Sequence, residues 1–193
     1  MRIRRVLGVV AVALAATVAL GTLSACQPAK RVLVIGDSLT VGAVSAGLGD
    51  GHPWRWTVSA ETSRSTNRGI AIAQNRDIGA YDLVIVALGT NDYRDSAATY
   101  GTRIDNMMAA LSPAPAVIWI NVDAQTPHLA PAASGVNPAL ASARGRHAKL
   151  TVADWNAYVR GVANMAAYRA GDQIHYNSAG YSLRARWMEG LVT

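Results

Sequence analysis

Three short stretches of this chain carry residue types that can do chemistry together. Ser38 follows Gly36-Asp37, Asn91 stands in Gly89-Thr90-Asn91-Asp92, and His175 comes three residues after Asp172 in Asp172-Gln173-Ile174-His175. A serine hydroxyl is a poor nucleophile until a neighbouring base takes its proton, and the base needs a third group to orient it. His175 suits the role of base, because a carboxylate three residues earlier can reach the imidazole Nδ1–H and leave Nε2 free. The side-chain amide of Asn91 can donate to an oxyanion as it develops. Each residue also has a plainer use. Ser38 alone reads as a helix N-cap, His175 as a satisfied surface histidine and Asn91 as an Asx-turn residue.

Residues so far apart in sequence need elements that bring them to one place. Arg31–Ile35, Asp82–Leu88 and Ala116–Ile120 are near-continuous apolar runs, the pattern of strands buried on both faces. Trp54–Val58 alternates and predicts an edge strand; Leu150–Val152 predicts a short fifth one. Helix-compatible segments lie between and after them: Leu39–Leu48, Asn67–Arg76, Thr102–Leu111, Pro138–His147, Trp155–Ala170 and Ser178–Leu191. This alternation predicts a three-layer α/β/α sandwich around a central, mostly parallel sheet of five strands, flavodoxin-like in outline. In such sheets chemistry gathers beyond the carboxyl ends of the strands. Ser38 and Asn91 each follow a predicted strand, and Asp172 and His175 precede the last helix. Asp123–Asn137, with Pro127, Pro131 and Gly135, predicts a long irregular loop, a common place for function.

Taken together and in this order, the three motifs resemble the SGNH/GDSL hydrolase family over essentially the whole chain beyond its leader. The resemblance implies Ser38 as nucleophile, His175 as base and Asp172 as its orienter. It also implies an oxyanion hole made by the Ser38 N–H, the Asn91 amide and the N–H of a second-block glycine. That glycine is missing. The corresponding stretch, Ser59–Thr66, contains none, and Ser63 is the equivalent. A serine still offers a backbone N–H, but if the position needs positive φ it bears strain or the loop shifts. Asp154-Trp155-Asn156 also looks like a stretch recurrent in bacterial members, and no catalytic role is assigned to it.

The first thirty residues differ from the rest. Arg2, Arg4 and Arg5 precede eighteen uncharged residues, Val6–Leu23, and Leu23-Ser24-Ala25-Cys26 resembles a bacterial lipobox. The expected organisation is a lipoprotein signal peptide over 1–25, an anchor and short linker over 26–30 with Cys26 as lipidation site, and a hydrolase domain over 31–193. An uncleaved N-terminal anchor is the alternative. Both place the domain outside the cytoplasmic membrane, and acyl chains on Cys26 would hold it at a bilayer.

Composition narrows the field further. With 51% hydrophobic residues the chain can bury a core, which argues against disorder. One cysteine excludes an internal disulfide framework and multi-cysteine metal sites. The net charge of +6 loses three arginines with the leader, and the remaining basic residues are dispersed, so no nucleic-acid partner is expected. No spacing of histidines and carboxylates supports a metal site, and no cofactor is called for. His52 falls in a turn, His147 should end a helix, and His128 lies in the long loop, where it is a candidate to line a substrate cleft. Trp119 should be core, and Trp54, Trp56, Trp155 and Trp187 packing residues.

These readings predict an exported, lipid-anchored, monomeric serine esterase acting on short-chain acyl esters of a lipid or a glycan. Two alternatives share the fold: an acyltransferase acting on envelope glycans, and a non-catalytic binding module, motivated by the missing glycine. A nucleotide binder fails, since neither a phosphate-binding Gly-x-x-x-x-Gly-Lys loop nor a Gly-x-Gly-x-x-Gly fingerprint is present.

Overall fold

Val32, Leu33, Val34 and Ile35 are wholly shielded from solvent, so this run must be covered on both faces. The computed structural model describes residues 29–192 and contains five strands. They are β1 (Arg31–Gly36), β2 (Arg55–Ala60), β3 (Leu83–Ala87), β4 (Val117–Ile120) and β5 (Leu150–Ala153). All neighbours are parallel, in the order β2-β1-β3-β4-β5. The expected mostly parallel sheet is therefore parallel throughout. β2 lies at an edge and is half-exposed along most of its length, in line with its alternating sequence.

Helices cover both faces: α1 (Ser38–Ser45), α2 (Thr66–Gln74), α3 (Ala97–Ala110), α4 (Val136–Ala143), α5 (Trp155–Gly161) and α6 (Ser178–Glu189). Alternate strand residues face opposite layers. Leu33, Ile35, Val84 and Val86 share one core with Ile70 of α2, Ile104 and Met107 of α3 and Leu140 of α4. Val32, Val34 and Ile85 share the other with Ala43 of α1, Val159 of α5 and Met188 of α6. Trp119 is fully buried and donates its indole N–H to the Leu88 carbonyl, 3.1 Å away, at the end of β3.

Several boundaries depart from the sequence expectation for local reasons. Asp37, not Ser38, caps α1: its carboxylate accepts the Leu39 N–H at 3.0 Å, and Ser38 becomes the first helical residue. α3 begins five residues before Thr102, because the Ser96 hydroxyl caps it by accepting the Thr99 N–H. α5 stops at Gly161 instead of continuing to Ala170. Val162 is extended and Asn164 left-handed, and only a 3-10 turn at Met165–Tyr168 follows. α4 ends at Ala143, so His147 does not end it; its ring pairs with Asp105 at 2.7 Å. The Asp123–Asn137 loop is less irregular than expected, with a 3-10 turn at Ala130–Ala133 and Leu129 and Ala132 buried in the core. The predicted signal peptide over 1–25 and the lipidation site at Cys26 lie outside the described residues. Among the described residues no helix is long and apolar enough to cross a membrane.

The turn after β3 depends on one glycine. Gly89 has φ +124, and a Cβ there would meet the Tyr100 hydroxyl at 2.7 Å and Val122 at 3.0 Å. Gly89→Ala should therefore destabilise the protein by about 1–3 kcal/mol in urea denaturation. Gly101→Ala is the contrast: in the middle of α3, with no atom within 4 Å of its Cβ position, it should gain up to about 1 kcal/mol.

Candidate active site

The carboxyl ends of β1, β2 and β3 deliver three of the predicted site residues to one edge of the sheet. After β1 the chain turns within one residue. Gly36 permits this, since a Cβ there would lie 2.1 Å from the Thr40 hydroxyl. Asp37 then caps α1 from a fully buried position, and burial pushes its carboxyl up against the opposing pull of the buried Arg184 guanidinium on α6. Ser38 stands as the first residue of α1, half-buried, and its N–H has no carbonyl acceptor within the helix.

The structure brings Ser38, His175 and Asp172 into one hydrogen-bonded chain. His175 Nε2 lies 2.9 Å from Ser38 Oγ, and Nδ1 lies 2.6 Å from Asp172 Oδ2. The other Asp172 oxygen accepts the backbone N–H groups of Ile174 (3.0 Å) and His175 (2.9 Å). The His175 hydrogen bonds, side chain first and then backbone, hold the Asp172 carboxyl down at about 2. An ionised carboxylate on Nδ1 fixes the tautomer in which Nε2 faces the serine as an acceptor. Each remains partly open to water: the Asp172 side chain is 49% exposed and that of His175 36%.

Ser63 and Asn91 meet around the backbone of Arg64. Arg64 N–H donates to the Glu61 carbonyl at 3.3 Å, closing a four-residue turn with Ser63 in its third place. Ser63 has φ +58, while Thr62 is not among the residues with positive φ. Positive φ at the third place alone is the mark of a type II turn, a position that favours glycine. Ser63 bears the left-handed conformation, at a cost of about 1–2 kcal/mol. The Asn91 side-chain amide donates to the Arg64 carbonyl at 3.1 Å, which orients it and leaves its second N–H available. Below them the Arg64 guanidinium reaches the Gly36 carbonyl at 3.3 Å and the Ser59 hydroxyl at 3.2 Å, binding the ends of β1 and β2 together. Asp92, also buried, accepts the Thr66 N–H at 2.8 Å and its hydroxyl at 2.7 Å, tying the Asn91 turn to the start of α2.

Other predicted residues lie outside this chain of contacts. His52 sits in its turn, its Nδ1 accepting the Trp54 N–H at 3.1 Å. The His128 ring packs at a tilt against Tyr93, two residues beyond Asn91, at 4.7 Å between ring centres. Asp154 caps α5, and Asn156 accepts from Ala124 N–H at 2.9 Å, so this stretch supports the loop after β4. A cavity of about 330 Å³ opens beside the triad turn, bordered by Gln173, Gln125, Pro127 and Arg160. A larger one, about 630 Å³, lies between α2 and α3 and touches none of the predicted site residues.

Neither protein-family models nor curated proteins yield a match to this sequence. Solved structures do. The chain is similar to a lipase/acylhydrolase from Enterococcus faecalis, with TM-score 0.68 and 18% identity over 84% of this chain and 95% of that one. It is similar to the catalytic domain of the peptidoglycan O-acetyltransferase OatA from Streptococcus pneumoniae, with TM-score 0.63 and 22% identity over 84% and 92%. The fold is that of the SGNH/GDSL hydrolases. An acetyl-xylooligosaccharide esterase from Geobacillus shares the same SGNH architecture, at TM-score 0.61 and 15% identity over 82% of this chain and 92% of that one.

Sequence reasoning missed the supports of this site. Arg64 and Asp92 are charged residues in loops, and only their burial shows what they hold. Asp92 did have a signal, as the last residue of the Gly-Thr-Asn-Asp motif. Arg64 had none.

Two measurements check this geometry. Ser63→Gly relieves the left-handed strain but loosens the unfolded chain, so a net gain of up to about 1 kcal/mol is expected in denaturant, whereas Ser63→Val should lose about 1–2 kcal/mol. For Asp172 the folded value near 2 lies below the ordinary 3.8, so ionisation stabilises the fold above about pH 4 and this is lost as pH falls towards 2. The melting-temperature gap between wild type and Asp172→Asn should therefore narrow over that interval; a constant gap would contradict the assignment.

Proposed function

We propose that this protein is an exported, lipid-anchored serine esterase that cleaves acyl esters through an acyl-enzyme on Ser38. The observation that carries the reading is the unbroken hydrogen-bonded chain Ser38–His175–Asp172 at 2.9 and 2.6 Å. Ser38 Oγ attacks the ester carbonyl carbon while His175 Nε2 takes its proton, and Asp172 stabilises the imidazolium that forms. The carbonyl oxygen becomes an oxyanion, held by the N–H groups of Ser38 and Ser63 and the Asn91 amide. Collapse expels the alcohol, protonated by His175. Water, deprotonated by the same histidine, attacks the acyl-enzyme and releases the acid. Asp172, ionised from about pH 2 upward, plays its part across the whole working range.

The similarity to a lipase/acylhydrolase and an acetyl-xylooligosaccharide esterase supports acyl-ester hydrolysis, and a short acyl group on a lipid or glycan is the substrate class proposed. The cavity beside Gln173 sets amide and guanidinium groups beside Val159, Val162 and Met165, which suits an alcohol portion with both polar and apolar parts. The leader and Cys26 support attachment to the outer face of the membrane. A second reading is favoured by the likeness to a peptidoglycan O-acetyltransferase: the same acyl-enzyme, resolved by a glycan hydroxyl instead of water. Supplying an acylated donor with a glycan acceptor and analysing both products separates the two.

The purified protein should hydrolyse p-nitrophenyl acetate and take a fluorophosphonate label, and Ser38→Ala should abolish both. Asn91→Ala should lower kcat about 10²–10³-fold with little change in folding stability. If wild type and Ser38→Ala hydrolyse the ester equally slowly and neither is labelled, the esterase reading is lost and a binding module takes its place.

A further inference from the structure

The triad turn poses a problem that its own contacts do not solve. Asp172 and His175 are half open to water, and the turn holds Gly171 and a left-handed Gln173 with φ +62. Neither burial nor regular secondary structure fixes these residues, yet His175 must meet a serine 137 residues away in sequence. The turn is closed at its base by an isolated antiparallel bridge between Arg169 and Tyr176. Backbone bonds from Ala170 N to His175 O (2.9 Å) and from Asn177 N to Tyr168 O (3.0 Å) flank that bridge.

Both bridge residues send their side chains down to a single oxygen. Asp123, three residues past the end of β4, pairs through Oδ2 with Arg169 Nη2 at 2.7 Å, and the same oxygen accepts the Tyr176 hydroxyl at 2.9 Å. Its other oxygen accepts the Gln125 N–H at 3.1 Å. The Tyr176 hydroxyl in turn accepts the Trp155 indole N–H at 2.8 Å, and the Arg169 guanidinium lies over the Tyr176 ring, 5.8 Å from its centre. The ion pair is dry, with 5% of the Arg169 side chain and 1% of the Asp123 side chain exposed. Taking a carboxylate and a guanidinium out of water is costly unless the geometry is well satisfied, so a pair of this kind specifies one arrangement more than it adds stability. Arg169 Nη1 also approaches the Gln173 carbonyl at 3.5 Å, inside the triad turn itself.

We propose that Asp123 is a positioning residue for the acid–base half of the site: through Arg169 and Tyr176 its buried carboxylate anchors both legs of the Asp172–His175 turn to the loop after β4. This rests on the esterase reading only for its effect on turnover. Asp123 touches none of the reacting atoms. Its removal acts through the distance between His175 and Ser38, where misplacement of about 1 Å can cost about 10² in rate.

The test compares wild type with Asp123→Asn in the purified full chain, by two readouts. The first is independent of turnover: the proton NMR resonance of His175 Nδ1–H, shifted to low field by its short bond to Asp172, and exchange of the Ala170 and Asn177 amides. In Asp123→Asn the resonance should broaden or vanish and the amide exchange quicken, while circular dichroism and the exchange of β1 and β3 amides stay as in wild type. The second is p-nitrophenyl acetate hydrolysis, in which kcat should fall about 10–10²-fold with KM nearly unchanged. Should Asp123→Asn fail to fold, Tyr176→Phe, which keeps the ion pair and removes one anchor, should show the same changes to a smaller degree. An unchanged low-field resonance with unchanged loop exchange overturns the proposal, whatever the rate. A wild-type protein without turnover overturns the esterase reading instead, and the NMR comparison still decides where Asp123 acts.

Discussion

A hydrogen bond of 2.9 Å between Ser38 and His175 joins the first strand's turn to the approach of the last helix, and the site depends on its being kept. One end is held by regular structure. Gly36 ends a strand buried on both faces, Asp37 caps a helix, and Ser38 has little freedom between them. The other end is an exposed turn with two residues, Gly171 and the left-handed Gln173, that impose no regular path. The physical burden of the site therefore falls on whatever fixes that turn. A buried carboxylate below it, paired with a guanidinium and hydrogen-bonded by a phenol, meets that need.

The side proposed to hold the oxyanion is built differently. There the supports are carbonyls and one buried guanidinium: Arg64 gathers the ends of β1 and β2, and its own carbonyl orients Asn91. Asp92 ties the same turn to α2. These are residues with buried side chains, and their bonds tie the turns after β1, β2 and β3 to one another. Within these turns Ser63 accepts left-handed strain of about 1–2 kcal/mol, small beside what unpairing the buried Arg64 would cost. The serine thus holds a backbone conformation that favours glycine.

Much of this was legible in residue order and type. Continuous apolar runs, two of them ended by glycine, gave three of the strands within one or two residues, and the alternation of Trp54–Val58 located the edge. The motifs named Ser38, Asn91, Asp172 and His175, and the structure links three of them directly. Helix ends were less legible, because they turn on caps and breaks: Ser96 starts α3 early, and Gly161 with Asn164 stops α5. The anchoring residues were not legible at all. Asp123, Arg169 and Tyr176 are 46 and 7 positions apart with no spacing that announces a contact, and only chain folding places them on one oxygen.

What the sequence determined by itself is the alternation of strands and helices, and with it the single edge at which catalytic side chains of a parallel sheet must collect. It also pointed to the chemistry proposed above, since a serine, an amide, a carboxylate and a histidine in that order have few joint uses. The tertiary structure alone decided the sign of φ at Ser63, the partner of Asn91 and the burial of Asp123. Those depend on contacts between residues distant in the chain, where desolvation makes a hydrogen bond or an ion pair decisive, and no local pattern encodes which distant group will be there.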